Sequence, residues 1–185
     1  MKVGFVIENL EKISDWVLLE YSHSRKLSGK SNLTISGSGK VSGFNTEKRH
    51  AWELALPDPI VLDPNAKETL EPEDFSEGEN FLVLGGICGD FPPKARTAPL
   101  VTKKFPKGTR VRSLGSLQLP TDIALWTALE ISKGRKLSEI PFFPQGEFKL
   151  SEYESVKINL GYPSVKGKPL HTPGLLELLR KREKF

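Results

Sequence analysis

The sequence has one cysteine, three widely separated histidines and no long apolar run, and each scarcity argues against a class of protein. A lone thiol, Cys88, forms no internal disulfide, so we expect a reducing, cytoplasmic compartment. His23, His50 and His171 lack the paired spacing of a zinc site and are expected to be ordinary surface or core residues. No stretch of 18 apolar residues occurs, and the N-terminal apolar run has no small-residue cleavage site. Membrane spanning and secretion are therefore not expected.

What is present fits a single domain over residues 1–185, because 37% hydrophobic residues in a chain of this length can bury a core without disulfides or metals. Charge is unevenly distributed. Residues 1–90 have 9 basic and 15 acidic side chains, a net charge of −6, whereas residues 91–185 have 18 and 8, a net charge of +10. A basic half favours contact with RNA or a ribonucleoprotein, unless the two halves interleave in the fold and their fields cancel.

Strand and helix patterns alternate along the chain. Apolar runs predict strands at residues 1–8, 32–36, 60–63, 80–84, 109–114 and 155–160. Helices are predicted at residues 15–28, 47–56, 97–104, 121–133 and 174–184, with Thr172 capping the last. This alternation predicts an α/β fold with a mostly parallel sheet and helices on both faces.

The segment LGGICGDFPP, residues 84–93, directly follows the most apolar predicted strand. Ligands of open α/β sheets bind beyond the carboxyl ends of the strands, where glycine lets the backbone approach them closely. Gly85, Gly86 and Gly89 are therefore candidate cofactor contacts. Taken alone, the segment is equally compatible with a simple tight turn.

A second segment, SLGSLQLPTD at residues 113–122, also lies between a predicted strand and a predicted helix. Gly115, Pro120 and Thr121 favour an ordered backbone with N–H and C=O groups available to a ligand. Two such loops at neighbouring strand ends can enclose one small molecule. An ordinary strand-to-helix connection is the alternative.

Glu8 and Asp90 are acidic residues at the edge of the sheet where function is expected. Two carboxylates there would suit a guanidinium group, whose planar fork pairs with carboxylates through two hydrogen bonds. For each acid singly, a solvated or capping role is an equally good interpretation.

Six segments together carry a resemblance to a known family. They are FVIENLEKISDWVLLEYS at residues 5–22, VLDPNA at 61–66, LEPEDF at 70–75, FLVLGGICGDFPPKART at 81–97, SLGSLQLPTDIA at 113–124 and GKPLHTPGLLELL at 167–179. In this order they resemble a branch of the SPOUT class of S-adenosylmethionine (SAM)-dependent methyltransferases. That branch contains a fungal ribosomal-protein arginine methyltransferase and was formerly regarded as a family of RNA methyltransferases.

The resemblance implies a SPOUT fold whose C-terminal part forms a trefoil knot around SAM, an exception to the usual absence of knots. It also implies that Glu8 and Asp90 face the acceptor as catalytic and substrate-binding residues, and that Arg96 binds the SAM carboxylate or the substrate. The implied cofactor-binding residues are Leu84, Gly85, Gly86, Gly89 and Asp90 on one wall, and Leu114, Gly115, Leu119, Thr121 and Asp122 on the other.

The chain departs from the family at Cys88, where a larger aliphatic residue is expected, and at Phe91, where a histidine is expected. No histidine base is therefore assigned in the glycine loop. The predicted reaction is in-line methyl transfer to an arginine of a ribosomal protein. The alternatives are RNA methylation and a non-catalytic SAM-binding or ribosome-associated module. A monomer and a homodimer are both compatible with the sequence.

Overall fold

A five-stranded parallel sheet forms the centre of the computed structural model, which describes residues 2–87, 89, 92 and 94–182. Its strands are β1 (Lys2–Asn9), β2 (Leu33–Ser36), β3 (Ile60–Leu62), β4 (Glu79–Gly86) and β5 (Arg110–Arg112). Their order is β2-β1-β4-β3-β5, and every neighbouring pair is parallel. The predicted parallel α/β sheet is therefore confirmed.

Four α-helices accompany the sheet: α1 (Asp15–Ser28), α2 (Thr97–Leu100), α3 (Thr121–Ser132) and α4 (Leu175–Arg182). Helix α1 begins and ends as predicted, because the Ser14 hydroxyl accepts a hydrogen bond from the Val17 N–H and Gly29 ends the helix at a φ of 85°. Within the described part of the chain, no helix is long and apolar enough to cross a membrane.

The strands of the sheet bury alternate residues on opposite faces. One face presents Phe5, Ile7, Leu82 and Leu84 to a large core that is completed by α1 and α3. The other face has a smaller cluster, formed by Val6, Ala51, Val61, Val83 and Val101. Its cover consists of short 3-10 turns and α2, so helical elements occupy both faces, but the longer helices lie on one.

The C-terminal part adds short antiparallel strands: β6 (Phe142–Phe143), β7 (Gly146–Lys149), β8 (Ser155–Ile158), β9 (Tyr162–Val165) and β10 (Lys168–Pro169). A third apolar cluster, centred on Ile123, Phe148 and Tyr162, packs them against the first turn of α3. The trefoil knot stays a prediction of the family resemblance.

The predicted helix over residues 47–56 is wrong, because only a 3-10 turn, Ala51–Glu53, forms there. The backbone of residues 47–49 instead runs beside the end of β2, where the Glu47 carbonyl accepts from the Ser38 N–H and the Arg49 carbonyl accepts from the Gly37 N–H. Carbonyl groups used in this pairing are not available to a helix. The amphipathic pattern thus reflects packing against the sheet.

Two smaller expectations also need correction. Residues 97–104 form α2 and a separate 3-10 turn instead of one helix. The strand predicted at 155–160 does form, as β8, which pairs antiparallel with β7 outside the parallel sheet. Thr172, the predicted helix cap, is buried, and its hydroxyl donates to the Asp122 carboxylate at 2.7 Å.

Candidate active site

A cavity of about 220 Å³ lies at the carboxyl ends of β3 and β4. Leu62 and Leu84 form its floor, and the two glycine-bearing loops predicted from the sequence form its walls. About 10–15 Å³ measured in this way holds one water molecule, so the space suits an organic ligand and is too large for a packing defect. The cavity therefore lies where ligands of open α/β sheets usually bind.

The two loops touch each other. A Cβ atom built on Gly89 would lie 2.1 Å from Gln118 Nε2 and 2.9 Å from Leu160 Cδ2, so glycine permits the contact. The Gly161 N–H donates to the Gln118 carbonyl at 2.8 Å, which ties the second loop to the segment before β9. The predicted closure of both loops around one space is thus present in the described residues.

Most of the predicted cofactor contacts share this cavity. Arg96, which the resemblance assigns to the SAM carboxylate or to the substrate, also lines it. The predicted cofactor-binding residues in its wall are Leu84, Gly85, Gly89, Leu114, Gly115, Leu119 and Thr121. Side chains and glycines distant in sequence therefore converge on one site.

Two predicted cofactor residues lie elsewhere. Gly86 is packed against α1, where an added Cβ would come within 2.7 Å of the Tyr21 hydroxyl and 2.9 Å of the Glu8 carbonyl oxygen. Asp122 is fully buried, and its Oδ2 accepts hydrogen bonds from His23 and Thr172. These two positions stabilise the packing beside the cavity.

Glu8 is also fully buried, and its carboxylate does not line the cavity. It accepts hydrogen bonds from the Ser36 hydroxyl at 2.7 Å, the Ala51 N–H at 2.8 Å and the His50 ring at 2.5 Å. Asp90, its predicted catalytic partner, lies outside the described residues, as do Cys88 and Phe91. Direct contact between Glu8 and an acceptor stays a prediction.

Charged groups of both signs surround the cavity. Arg96, in its wall, pairs with Glu11 at 3.1 Å, just beyond the end of β1. Asp63 is buried, and its carboxylate accepts from the Thr102 hydroxyl at 2.6 Å and the Asn65 N–H at 2.9 Å. Lys94 adds a second cationic side chain to the wall. A zwitterionic ligand would find partners for both of its charges.

Glu20 on α1 lies against the start of α3. It accepts from the Trp16 ring N–H at 2.7 Å and from the Thr121 N–H at 3.3 Å. Burial, and then the nearby charge of Asp122, raise the pKa of the Glu20 carboxyl to about 7. The first turn of α3, which contributes to the cavity, is thus held by a group that titrates near neutral pH.

Sequence reasoning missed Asp63, Glu20 and His50. Asp63 had a usable signal, because it follows the apolar run of β3 in the same way that Gly85 and Gly86 end β4. Glu20 and His50 had none, since their partners Thr121 and Glu8 lie 101 and 42 residues away in the chain.

Comparison with known proteins finds one matching family and several similar structures. The family described as protein arginine N-methyltransferase SFM1-like matches residues 4–184. The Saccharomyces cerevisiae protein arginine N-methyltransferase SFM1 is 32% identical over 202 residues, which cover 96% of this chain and 94% of the yeast protein. The crystal structure of the yeast arginine methyltransferase SFM1 complexed with SAM superposes with a TM-score of 0.85 and 30% identity, covering 98% of this chain and 92% of that one.

A more distant likeness concerns the fold alone. A Trm10 structure from Thermococcus kodakaraensis has a TM-score of 0.58 and 20% identity, covering 74% of this chain and 95% of that one. With the family match over residues 4–184 and the end-to-end similarity to the yeast enzyme, the chain belongs to the SFM1-like family of protein arginine N-methyltransferases.

Proposed function

We propose that this chain binds SAM in the cavity between its two glycine-bearing loops and transfers a methyl group to an arginine side chain of a protein. The observation that carries the proposal is the convergence of Leu84, Gly85, Gly89 and Thr121, residues selected for cofactor binding, on one cavity. The yeast relative, similar over nearly the whole chain, is an arginine methyltransferase whose structure contains SAM.

The cavity wall offers each part of SAM a matching group. Leu62, Leu84 and Leu114 provide apolar surface for the adenine ring. Lys94 and Arg96 can pair with the carboxylate of the methionine moiety, and Asp63 can accept from its ammonium group or from a ribose hydroxyl. The bound cofactor would supply a methyl group on a good leaving group, so the protein has to align the acceptor and exclude water.

A ribosomal protein is the proposed source of the acceptor arginine, in the cytoplasm, because the branch that the sequence resembles contains an enzyme with such a substrate. The proposal keeps Glu8 and Asp90 as the acidic residues of the acceptor site. An acidic acceptor site favours a guanidinium group and repels phosphate.

Labelling the acceptor tests this function. The purified protein is incubated with methyl-labelled SAM and with separately prepared ribosomal protein and ribosomal RNA, and the labelled product is hydrolysed and identified. We expect label in the protein fraction, as methylarginine. Label in RNA alone, or in neither fraction despite measurable SAM binding, would contradict the proposal.

RNA methylation is the second candidate, and one surface feature favours it. Lys103, Lys104 and Lys107 are exposed just after α2, whose first residue, Thr97, lines the cavity. They form no ion pair with a described residue. Lysines in such a position can neutralise phosphates, so RNA methylation predicts RNA binding that weakens steeply with salt and with their replacement by glutamine.

A further inference from the structure

The buried carboxylate of Glu8 holds a histidine that reaches the surface. His50 Nδ1 lies 2.5 Å from Glu8 Oε1, and the side chains are 44% and 0% exposed, respectively. The His50 ring stacks on Trp52 with 4.4 Å between ring centroids and 9° between planes. A hydrogen bond on one edge and an aromatic face on the other fix the orientation of the imidazole.

This arrangement favours one tautomer of the neutral His50 ring. Because a carboxylate accepts from Nδ1, the proton of the neutral imidazole lies on Nδ1 and the lone pair lies on Nε2. No described residue forms a hydrogen bond with Nε2 of His50. The exposed edge of the ring is therefore a proton acceptor, and the Glu8 carboxylate holds the opposite edge in place.

The histidine is not needed to anchor its own segment. The Ser36 hydroxyl and the Ala51 N–H already bind Glu8, and the Gly37 N–H donates to the Arg49 carbonyl at 3.0 Å. These bonds attach the segment before Ala51 to β2 and to the end of β1 without the ring. Only glycine at position 37 leaves room for the pair, because a Cβ there would lie 2.5 Å from Glu8 Oε1.

The pair lies beside the proposed cofactor cavity. Glu8 is paired in register with Gly85 of β4, and Gly85 lines the cavity. Ala51, next to His50, is buried in the same apolar cluster that packs against Ile87, another residue of the cavity wall. The imidazole is thus on the same face of the sheet as Gly85, near the carboxyl ends of β1 and β2.

We propose that His50 contacts the acceptor arginine and takes up the proton released on methylation, with Glu8 as its positioning residue. This inference rests on the proposed methyltransferase function. A guanidinium nitrogen forms a bond to the methyl carbon, the carbon–sulfur bond breaks with its electron pair on sulfur, and the proton of the methylated nitrogen passes to His50 Nε2. Glu8, which the resemblance assigns to the acceptor site, then acts on the acceptor indirectly, by positioning the His50 ring.

The test compares two histidine variants in the labelling assay. His50→Asn keeps an amide that can donate to Glu8 but removes Nε2. His171→Asn is the matched control, because His171 lies edge-on to Phe148, away from the Glu8 pair. We expect His50→Asn to lower kcat about 100-fold, at the lower end of general-base effects, while the Kd for SAM changes less than about twofold.

The pH profile separates a chemical role from a structural one. Wild-type protein and the His171→Asn control should lose activity as imidazole groups become protonated, whereas the residual activity of His50→Asn should lack this acid limb. The other charged groups beside the ring are Glu53, which accepts from the His50 N–H, and Arg49, paired with Glu47. Glu53→Gln and Arg49→Gln should keep the acid limb.

Each outcome decides the matter. Full kcat with an unchanged acid limb in His50→Asn overturns the role of His50 and leaves the methyltransferase function standing. Loss of activity together with loss of SAM binding or of thermal stability assigns His50 a structural role, which also overturns the inference. Wild-type protein that labels no arginine would instead contradict the proposed function itself.

Discussion

The Glu8–His50 and Asp122–His23 pairs have the same chemistry and similar contact distances, 2.5 and 2.6 Å, but they differ in depth. Both carboxylates are fully buried. The His50 side chain is 44% exposed, whereas that of His23 is 8% exposed. The exposed imidazole of His50 can exchange a proton with solvent or a substrate, whereas that of His23 is largely shielded from solvent.

The surroundings of the two carboxylates differ as well. Three donors bind the Glu8 carboxylate. Asp122 has His23 and Thr172 on one oxygen, while its Oδ1 and the Tyr162 hydroxyl are buried without a hydrogen-bond partner among the described residues. Burial, together with the charges of Asp122 and Glu20, raises the pKa of the Tyr162 hydroxyl. The region around Asp122 therefore brings two buried acidic side chains, Asp122 and Glu20, close together.

The largest effect on stability should come from breaking the buried Asp122–His23 pair. Asp122→Ala leaves the buried His23 ring and Thr172 hydroxyl without their acceptor, so we expect the free energy of unfolding to fall by about 3–5 kcal/mol. Glu79→Ala, which removes the exposed pair with Lys2, is the control and should cost less than about 1 kcal/mol. Urea unfolding followed by circular dichroism measures both, and a loss under about 1 kcal/mol for Asp122→Ala would contradict the comparison.

A second test concerns the negative charge near Asp122. The pKa of Glu20 is about 7 in the folded protein and 4.5 as a reference, so the folded state binds the proton more tightly. The resulting stability is fully present below about pH 4.5 and is lost as the pH rises through 7, by up to about 3 kcal/mol.

Glu20→Gln should remove this pH-dependent contribution. The difference in unfolding free energy between wild type and variant, measured from pH 4.5 to 8, should therefore change in favour of the variant as the pH rises. Exposed Glu152 offers the control, since Glu152→Gln should shift stability by no more than about 0.5 kcal/mol at any pH. A constant difference between wild type and Glu20→Gln would exclude the proposed titration.

The smallest effect is expected at Gly86, which packs against the Glu8 backbone. Gly86→Ala would press a methyl group onto the Tyr21 hydroxyl and the Glu8 carbonyl oxygen, at 2.7 and 2.9 Å, and we expect it to cost about 1–3 kcal/mol. Gly39→Ala points into open space and should be nearly neutral. Thermal unfolding of the two variants would contradict this account if their midpoints coincided.

The sequence predicted those elements whose signals are local. The apolar run at residues 80–84 and the cap and stop signals around residues 15–28 predicted β4 and α1 closely. It failed at residues 47–56, where backbone bonds to β2 override an amphipathic pattern. The same limit applies to the site, because the glycine loops are visible in sequence, whereas the contact of His50 with Glu8 exists only after the sheet has formed.

The strand order has a consequence for how the chain reaches its native state. β1 lies between β2 and β4, and Lys2 pairs with Glu79. During synthesis, the second edge of β1 therefore stays uncovered until β4 has been made. Helix α3, which covers one face of the sheet, is made later still. Pairing across such a sequence separation makes folding intrinsically slow, and the open edge of β1 is exposed to other chains during that interval.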